Sequence, residues 1–474
     1  MSTLQSPRCW DTVSTGPSVT FDADVIRRYD RHGPRYTSYP TAPQFHTAFD
    51  EQSYRRAALL SNSTATPLSM YVHIPFCAKP CFYCGCNKIV TRNPAHAEQY
   101  LQRLHREIEL QGALFDRRRI IRQLHFGGGT PTYLDAPELR ALFDQLRRHF
   151  NLELSGQREF SIEIDPRTLE VETLEVLATL GFNRLSLGVQ DFDPRVQKAV
   201  NRLQSTQQVA DAVVQARRLG YRSVSFDLIY GLPLQTLDSF SETLDTVVRM
   251  RPDRIAAYGY AHMPRLFKAQ RAIQSAQLPD AETRLQLLGL TVERLTAAGY
   301  VYIGMDHFAL PDDELARALR TGDLHRNFQG YSTHASCDLI GLGVSAIGAV
   351  GNSYSQNGKH LSGYYQALDQ GRLPIDRGIA LSMDDQVRRE VIQHVMCDGA
   401  LVKSDIESRY ALEFDRYFAR EIAALKSLGT DGLITDDGAV IRVTPRGRAL
   451  LRNIAMVFDA YLRPASSPQY SKVI

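Results

Sequence analysis

Between Leu68 and Phe308 the chain repeats one pattern: a short apolar segment, a polar or glycine-rich loop, then an amphipathic helix. The strand segments are "LSMYVHI", "RQLHF", "REFSIEID", "RLSLGVQ", "SVSFDLIYGLP", "RIAAYGYAH" and "VYIGMDHF". Six or seven strands alternating with helices dictate an α/β fold whose sheet is parallel and whose crossovers are helical. One intervening helix carries its own start signal: Asp135 as N-cap, Pro137 in the first turn and Glu138 three residues past the cap.

In such sheets ligands gather at the carboxyl ends of the strands. The polar residues fall in that zone or late in the strands. Cysteines follow the first strand and "GGGTP" the second; Glu163 lies on the third, Gln190 ends the fourth and Asp227 lies on the fifth. One mouth therefore collects them.

Beyond Ser382 the character changes. "MDDQVRREVIQHVMC" and "EFDRYFAREIAALKSLG" read as amphipathic helices, and "GLITDDGAVIRV" as a hairpin turning at Asp437-Gly438. "PRGRALLRNIAMVFDAYL" reads as a last helix. This suggests a winged-helix-like module, either for nucleic acid or for packing. The near balance of 55 Lys and Arg against 52 Asp and Glu, and the acidic turn Asp436-Asp437, argue against a phosphate binder. At the other end, residues 1 to about 20 read as disordered. "RYDRHGPRYTSYPTAPQF" (28–45) is either a surface linker or an ordered arm. The run Arg117 to Arg119 reads as a solvated turn. The start shows no secretory h-region, and the longest apolar run, Leu339 to Gly351, is too short and Gly-rich to span a bilayer. A cytoplasmic chain that binds no nucleic acid and no membrane is expected.

Four of the seven cysteines stand within "CAKPCFYCGC" (77–86). In a reducing compartment an odd cysteine count points to metal or redox use rather than a disulfide framework. Structural zinc usually takes two ligand pairs separated by a longer loop, and no second pair exists, since Cys9, Cys337 and Cys397 are isolated. Two iron–sulfur arrangements remain: four thiolates including Cys86, or a [4Fe–4S] cluster on Cys77, Cys81 and Cys84 with one open iron.

C-x-x-x-C-x-x-C after one strand and "GGGTP" after the next resembles the radical S-adenosylmethionine enzymes. "GPRYTSYPTA", "YVHIPFC", "CGCNK", "SIEIDPR", "NRLSLGVQDF", "FDLIYGLPLQT", "GYAHMP", "IGMDHFA", "LHRNFQGY", "GLGVSAIG" and "RGRALLRNIAMVFDAYLR" extend the resemblance to the coproporphyrinogen-decarboxylating branch, over nearly everything after residue 22. The resemblance implies an open, partial TIM-type (β/α)6 barrel at 51–365, an N-terminal arm at 1–50 and a mainly helical C-terminal domain at 366–474. It implies anaerobic oxidative decarboxylation of two propionates of coproporphyrinogen III to vinyl groups, giving protoporphyrinogen IX. The cofactors implied are a [4Fe–4S] cluster on Cys77, Cys81 and Cys84 and two molecules of S-adenosylmethionine. The partners implied are an external donor of flavodoxin or ferredoxin type and an electron acceptor that the sequence does not identify. A monomer is expected.

The resemblance also assigns residues. Tyr71, Tyr83, Gly85, Gly128, Gly129, Thr130, Glu163, Gln190, Arg202, Asp227, Ala261 and Ile347 are expected to bind S-adenosylmethionine, with backbone groups of Gly128 and Gly129 open to its amino and carboxylate ends. Tyr71, His73 and Cys86 are expected at the catalytic centre, and Tyr71 and His73 share a strand face. Arg35 and Arg326 are candidates for the substrate propionates, because Arg pairs bidentately with carboxylates. Two relatives in function compete. A haem-binding chaperone of the same superfamily has a His-Asn…Tyr-Trp motif and an aromatic where Cys86 stands; this chain has one Trp, Trp10. An iron–sulfur regulator with a DNA-binding tail would not need "GGGTP". Another radical enzyme of tetrapyrrole metabolism is the third alternative.

Overall fold

The computed structural model describes residues 17–462. Of the disorder expected for residues 1 to about 20, the part at 1–16, with Cys9 and Trp10, lies outside the described residues. Thr20 is already fixed, its amide donating to the Pro445 carbonyl at 2.9 Å.

Six strand–helix units build the barrel. The strands are β1 (Leu68–Ile74), β2 (Ile120–Gly128), β3 (Glu159–Ile164), β4 (Arg184–Gln190), β5 (Ser223–Tyr230) and β6 (Arg254–Gly259). The helices after them are α1 (Ala95–Gly112), α2 (Ala136–His149), α3 (Val171–Leu180), α4 (Thr206–Arg218), α5 (Leu237–Met250) and α6 (Ala281–Ala297). The α2 capping box forms as its sequence dictates, with Glu138 N donating to Asp135 Oδ1 at 2.8 Å and Asp135 N to Glu138 Oε2 at 3.0 Å.

All pairs along β6-β5-β4-β3-β2-β1 are parallel, and β9 (Asp338–Leu342) adds a further parallel strand beside β1. "VYIGMDHF", read as one strand, is instead a hairpin of β7 (Val301–Gly304) and β8 (His307–Ala309). Met305 and Asp306, with φ of 44° and 71°, reverse the chain, and β8 pairs antiparallel with β6. On the far side β10 (Ile347–Val350), β11 (Ser353–Asn357) and β12 (Ile375–Ala380) continue antiparallel. The sheet path runs from β7 to β12 without closing, so the barrel is open.

The apolar halves of the strands and of α1 to α6 make one core. A second core joins β7 and the C-terminal helices to Val25, Ile26, Tyr36 and Tyr39 of the N-terminal segment. The 28–45 stretch is thus an ordered arm, and the linker alternative is overturned. Its Tyr36 hydroxyl donates to Asp459 at 2.9 Å, and Tyr39 Oη accepts from Ala460 N at 3.0 Å.

The C-terminal hairpin, β14 (Ile434–Asp436) and β15 (Val440–Val443), turns where expected. It gains a third strand, β13 (Ala400–Val402), that its short, mixed sequence did not announce. The last helix is broken into three short turns, Gly447–Leu450, Leu451–Ala455 and Met456–Phe458. Arg119 also departs from expectation. It is 3% exposed, with its guanidinium 2.5 Å from Asp338 and donating to the Thr66 carbonyl. Arg118 next to it is exposed, as a surface turn requires.

Candidate functional site

A cavity of about 390 Å³ runs down the barrel. At one end Cys77, Cys81, Cys84 and Cys86 line it; at the other lie Glu159, Arg184 and Arg254, where strands begin. The alternation of strand residues explains the lining. His125 and Ser161 lie in register on adjacent strands, as do Glu163 with Ser186 and Asp227 with Gly188; Tyr71, opposite His125, stands behind the wall.

The cysteine loop is shaped by an arginine pair. Asp165 holds Arg167 at 2.6 Å and Arg202 at 3.3 Å, and both guanidiniums reach Cys81 Sγ, at 3.2 and 3.3 Å. Two guanidiniums thus bond to the one sulfur. Thr130 Oγ1 donates to Cys77 Sγ at 3.6 Å, and burial pushes the Cys77 thiol up to about 11. The Cys86 amide donates to Cys84 Sγ at 3.5 Å, and side-chain hydrogen bonding with Cys86 lowers Cys84 to about 5 while it raises Cys86. Among the described residues no group of three His, Cys, Asp or Glu is set to hold a single metal ion. A set of soft sulfur donors around one end of a cavity fits an iron–sulfur cluster.

Past the cysteines the wall is polar and internally bonded. Burial works against the charge of Glu163, but His125 at 3.3 Å and the Gly128 amide at 3.0 Å outweigh it and hold the carboxyl below its usual range. Asp227 moves the other way: burial first, then the charge of Glu163, pushes it up to about 7, with Ser186 Oγ donating to it at 3.0 Å. One carboxylate and one carboxyl that can still carry a proton thus face the same lumen. His73 is kept neutral by burial. Its Nε2 faces the Asn87 carbonyl at 2.9 Å, which can only accept, so Nε2 carries the proton. Nδ1 then accepts the Tyr71 hydroxyl at 3.0 Å, and the Tyr71 ring stacks on His125 with centroids 5.8 Å apart.

Cys77, Cys81, Tyr83, Cys84, Cys86, Gly128, Gly129, Thr130, Glu163, Gln190, Arg202 and Asp227 therefore line one cavity. The glycine amides are not open, contrary to expectation: Gly128 N donates to Glu163 and Gly129 N to the Ile74 carbonyl at 2.8 Å. These glycines are needed for close approach, since a Cβ on Gly128 would lie 2.7 Å from the His73 ring and one on Gly129 2.6 Å from the Phe76 carbonyl. Gly85 lies under the Phe267 ring. Ala261 and Ile347 stand off the cavity wall; the Ala261 carbonyl accepts from Gln270, and Ile347 packs beside Phe45 and Tyr354. Arg35 and Arg326 back the wall rather than line it. The Arg326 Nε donates to the Arg35 carbonyl at 3.2 Å, and their guanidiniums lie over Tyr331 and Tyr258, both of which face the lumen.

Sequence reasoning missed His125, Asp165 and Arg167. His125 alternates with Gln123 on β2, the polar face signal that singled out Tyr71 and His73 on β1. Arg167 gave no local signal, because its partner Cys81 is 86 positions away.

The profile of the Radical SAM superfamily matches residues 71–247, and that of the HemN C-terminal domain matches residues 381–450. An oxygen-independent coproporphyrinogen III oxidase of Pseudomonas aeruginosa is 50% identical over 457 residues, 96% of this chain and 99% of the relative. The protein of that name from Escherichia coli K12 is 48% identical, again over 96% and 99%. The solved structure of the Escherichia coli coproporphyrinogen III oxidase, described as a radical SAM enzyme, superimposes with a TM-score of 0.89 at 48% identity, covering 94% of this chain and all of that one. With that coverage, and with the cysteine loop at the carboxyl mouth of an open barrel, the chain belongs to the oxygen-independent coproporphyrinogen III oxidase family of radical SAM enzymes.

Proposed function

We propose that the protein converts two propionate side chains of coproporphyrinogen III to vinyl groups without oxygen, giving protoporphyrinogen IX. The observation that carries this is the gathering of Cys77, Cys81 and Cys84 with Glu163 and Asp227 on one cavity inside a chain 50% identical to a named oxidase. Cys77, Cys81 and Cys84 would hold the cluster. When bound, a [4Fe–4S] cluster with an open iron supplies the electron that cleaves the sulfonium of S-adenosylmethionine and so yields a hydrogen-abstracting radical. Each propionate loses one hydrogen atom from its β-carbon to the radical, one electron to an external acceptor, and CO2.

The chain's own residues bind, orient and shield. Arg167 and Arg202 bond to Cys81 Sγ and hold the cysteine loop in place. Glu163, fixed by His125 and Gly128, accepts hydroxyl or amino donors, and Asp227 supplies a donor below pH 7 and an acceptor above it. Gln190, Thr130, Tyr83 and Gly85 complete the binding surface for two S-adenosylmethionine molecules, with Ala261 and Ile347 contributing from behind the wall. The Tyr71 hydroxyl donates to His73 Nδ1 and His73 Nε2 to the Asn87 carbonyl, which fixes both rings against the cysteine loop. Arg326 has a buried Nη1 with no hydrogen-bond partner among the described residues, a state that suits an incoming propionate. Arg35, half-exposed beside it, offers the second cation. Reducing equivalents come from an external one-electron donor of flavodoxin or ferredoxin type. The protein works as a cytoplasmic monomer; among the described residues no helix is long and apolar enough to cross a membrane.

The test is an anaerobic assay of reconstituted protein with dithionite, S-adenosylmethionine and coproporphyrinogen III. Two CO2 lost per porphyrinogen, with 5′-deoxyadenosine formed, is the expected result. Cofactor cleavage without decarboxylation would sink the substrate assignment.

A further inference from the structure

The cysteine loop is clasped from outside by two other segments. Asn201 Nδ2 donates to the Pro80 carbonyl at 2.7 Å and Phe82 N to the Val200 carbonyl at 3.0 Å, so the 194–206 segment holds one side. Gln270 Nε2 donates to the Tyr83 carbonyl at 2.9 Å and Phe267 covers Gly85, so the 261–279 segment holds the other. These two segments and the loop itself, 78–94, share a compositional bias. Each carries three Lys or Arg and no Asp or Glu, in a chain whose cations and anions are otherwise nearly equal.

The bias is displayed at the surface. Lys79, Arg92, Lys198, Arg265 and Lys268 are exposed and have no ion-pair partner among the described residues. Carboxylates next to these segments are engaged elsewhere: Asp165 by Arg167 and Arg202, Asp193 by Arg195, Asp135 and Glu138 in the α2 cap, and Asp280 by the Thr283 amide. Leu203 and Leu266, 62% and 67% exposed, stand among the cations. Cationic rims around isolated apolar side chains are how charged partners are steered and seated. The collar is built on the cysteine loop itself, whose Cys77, Cys81, Cys84 and Cys86 line the barrel cavity.

We propose that this collar is the docking surface for a small acidic protein that carries a one-electron centre. The proposal rests on the activity proposed above, which consumes one electron per cofactor cleaved. In the docked complex the carrier is oxidised by one electron and the group held by the cysteines is reduced by one.

The experiment uses the full chain reconstituted with its cluster and a reduced bacterial flavodoxin as probe. Binding is measured by anaerobic calorimetry at low and high NaCl, and cluster reduction by stopped-flow absorbance. The double reversal Lys198→Glu with Lys268→Glu should weaken flavodoxin binding about tenfold at low salt, with the gap closing at high salt. Dithionite-driven turnover should stay at the parent rate, because a small reductant needs no docking. A second reversal on the C-terminal domain, Arg416→Glu with Lys426→Glu, should bind flavodoxin as the parent does. Unchanged binding by the first variant, or equal loss by the second, overturns the proposal. If the parent fails to decarboxylate with dithionite, the activity falls, and the binding comparison still decides the collar.

Discussion

Cys81 receives two guanidinium donors where Cys77 receives one hydroxyl, so the thiols of the loop are not equivalent. Replacing Cys81 by Ser should abolish both the cluster absorption and turnover after reconstitution under argon; retention of both would remove it from the ligand set. Arg326 is tested by KM. The Arg326→Met variant should keep its fold and raise KM for coproporphyrinogen about tenfold or more, since a charge-assisted pair contributes roughly 1.5–3 kcal/mol. A fall in kcat alone would mean that it positions something else. The cysteines, Glu163 and Asp227 were legible in the sequence because each interrupts an apolar pattern. Arg119 was not, because the Asp338 that buries it is 219 positions away and no local rule links them.

The β/α alternation was legible from periodicity, and the β7–β8 reversal was not, because Met305 and Asp306 do not carry the glycine signature of a tight turn. Joints between elements show where stability concentrates. Glu107 on α1 is fully buried and accepts from Gly343 N at 2.7 Å, Asn357 Nδ2 at 2.6 Å and Tyr364 Oη at 2.6 Å, tying helix to sheet extension. Glu107→Ala should cost about 3–5 kcal/mol in denaturant unfolding by stranding three buried donors; a loss near zero would show that the site repacks. At the opposite end of the barrel burial disfavours the charged form of His334, but Cys337 and Glu159, the latter at 3.4 Å, outweigh it and push His334 up to about 9. A raised folded value gives stability fully present below about pH 6.5 and lost as pH rises through 9. His334→Gln should therefore lower Tm at pH 6 and match the parent near pH 10; a constant gap would refute the linkage.

Across the whole molecule the arm fastens the barrel to the C-terminal domain. Asn453 Nδ2 donates to the Tyr29 carbonyl at 2.8 Å, Arg452 Nε to the Pro34 carbonyl at 3.1 Å, and Arg446 Nε to Asp22 at 2.9 Å. Removing residues 1–45 should expose the C-terminal domain to limited proteolysis between 366 and 382 and lower Tm by several degrees; an unchanged digestion pattern would show that the arm only decorates the surface. The arm's partners also fix an order of events. Residues 22–39 leave the ribosome early, yet their partners in the C-terminal domain, from Asp431 to Asp459, are synthesised near the end. Until then the arm can reach only its barrel partners, such as Glu282, Asp306 and Arg326, while the barrel units condense behind it in chain order. Any chain cut short before residue 446 would leave that early segment without its clasp, so secure closure of this molecule doubles as a check that its message was read nearly to the end.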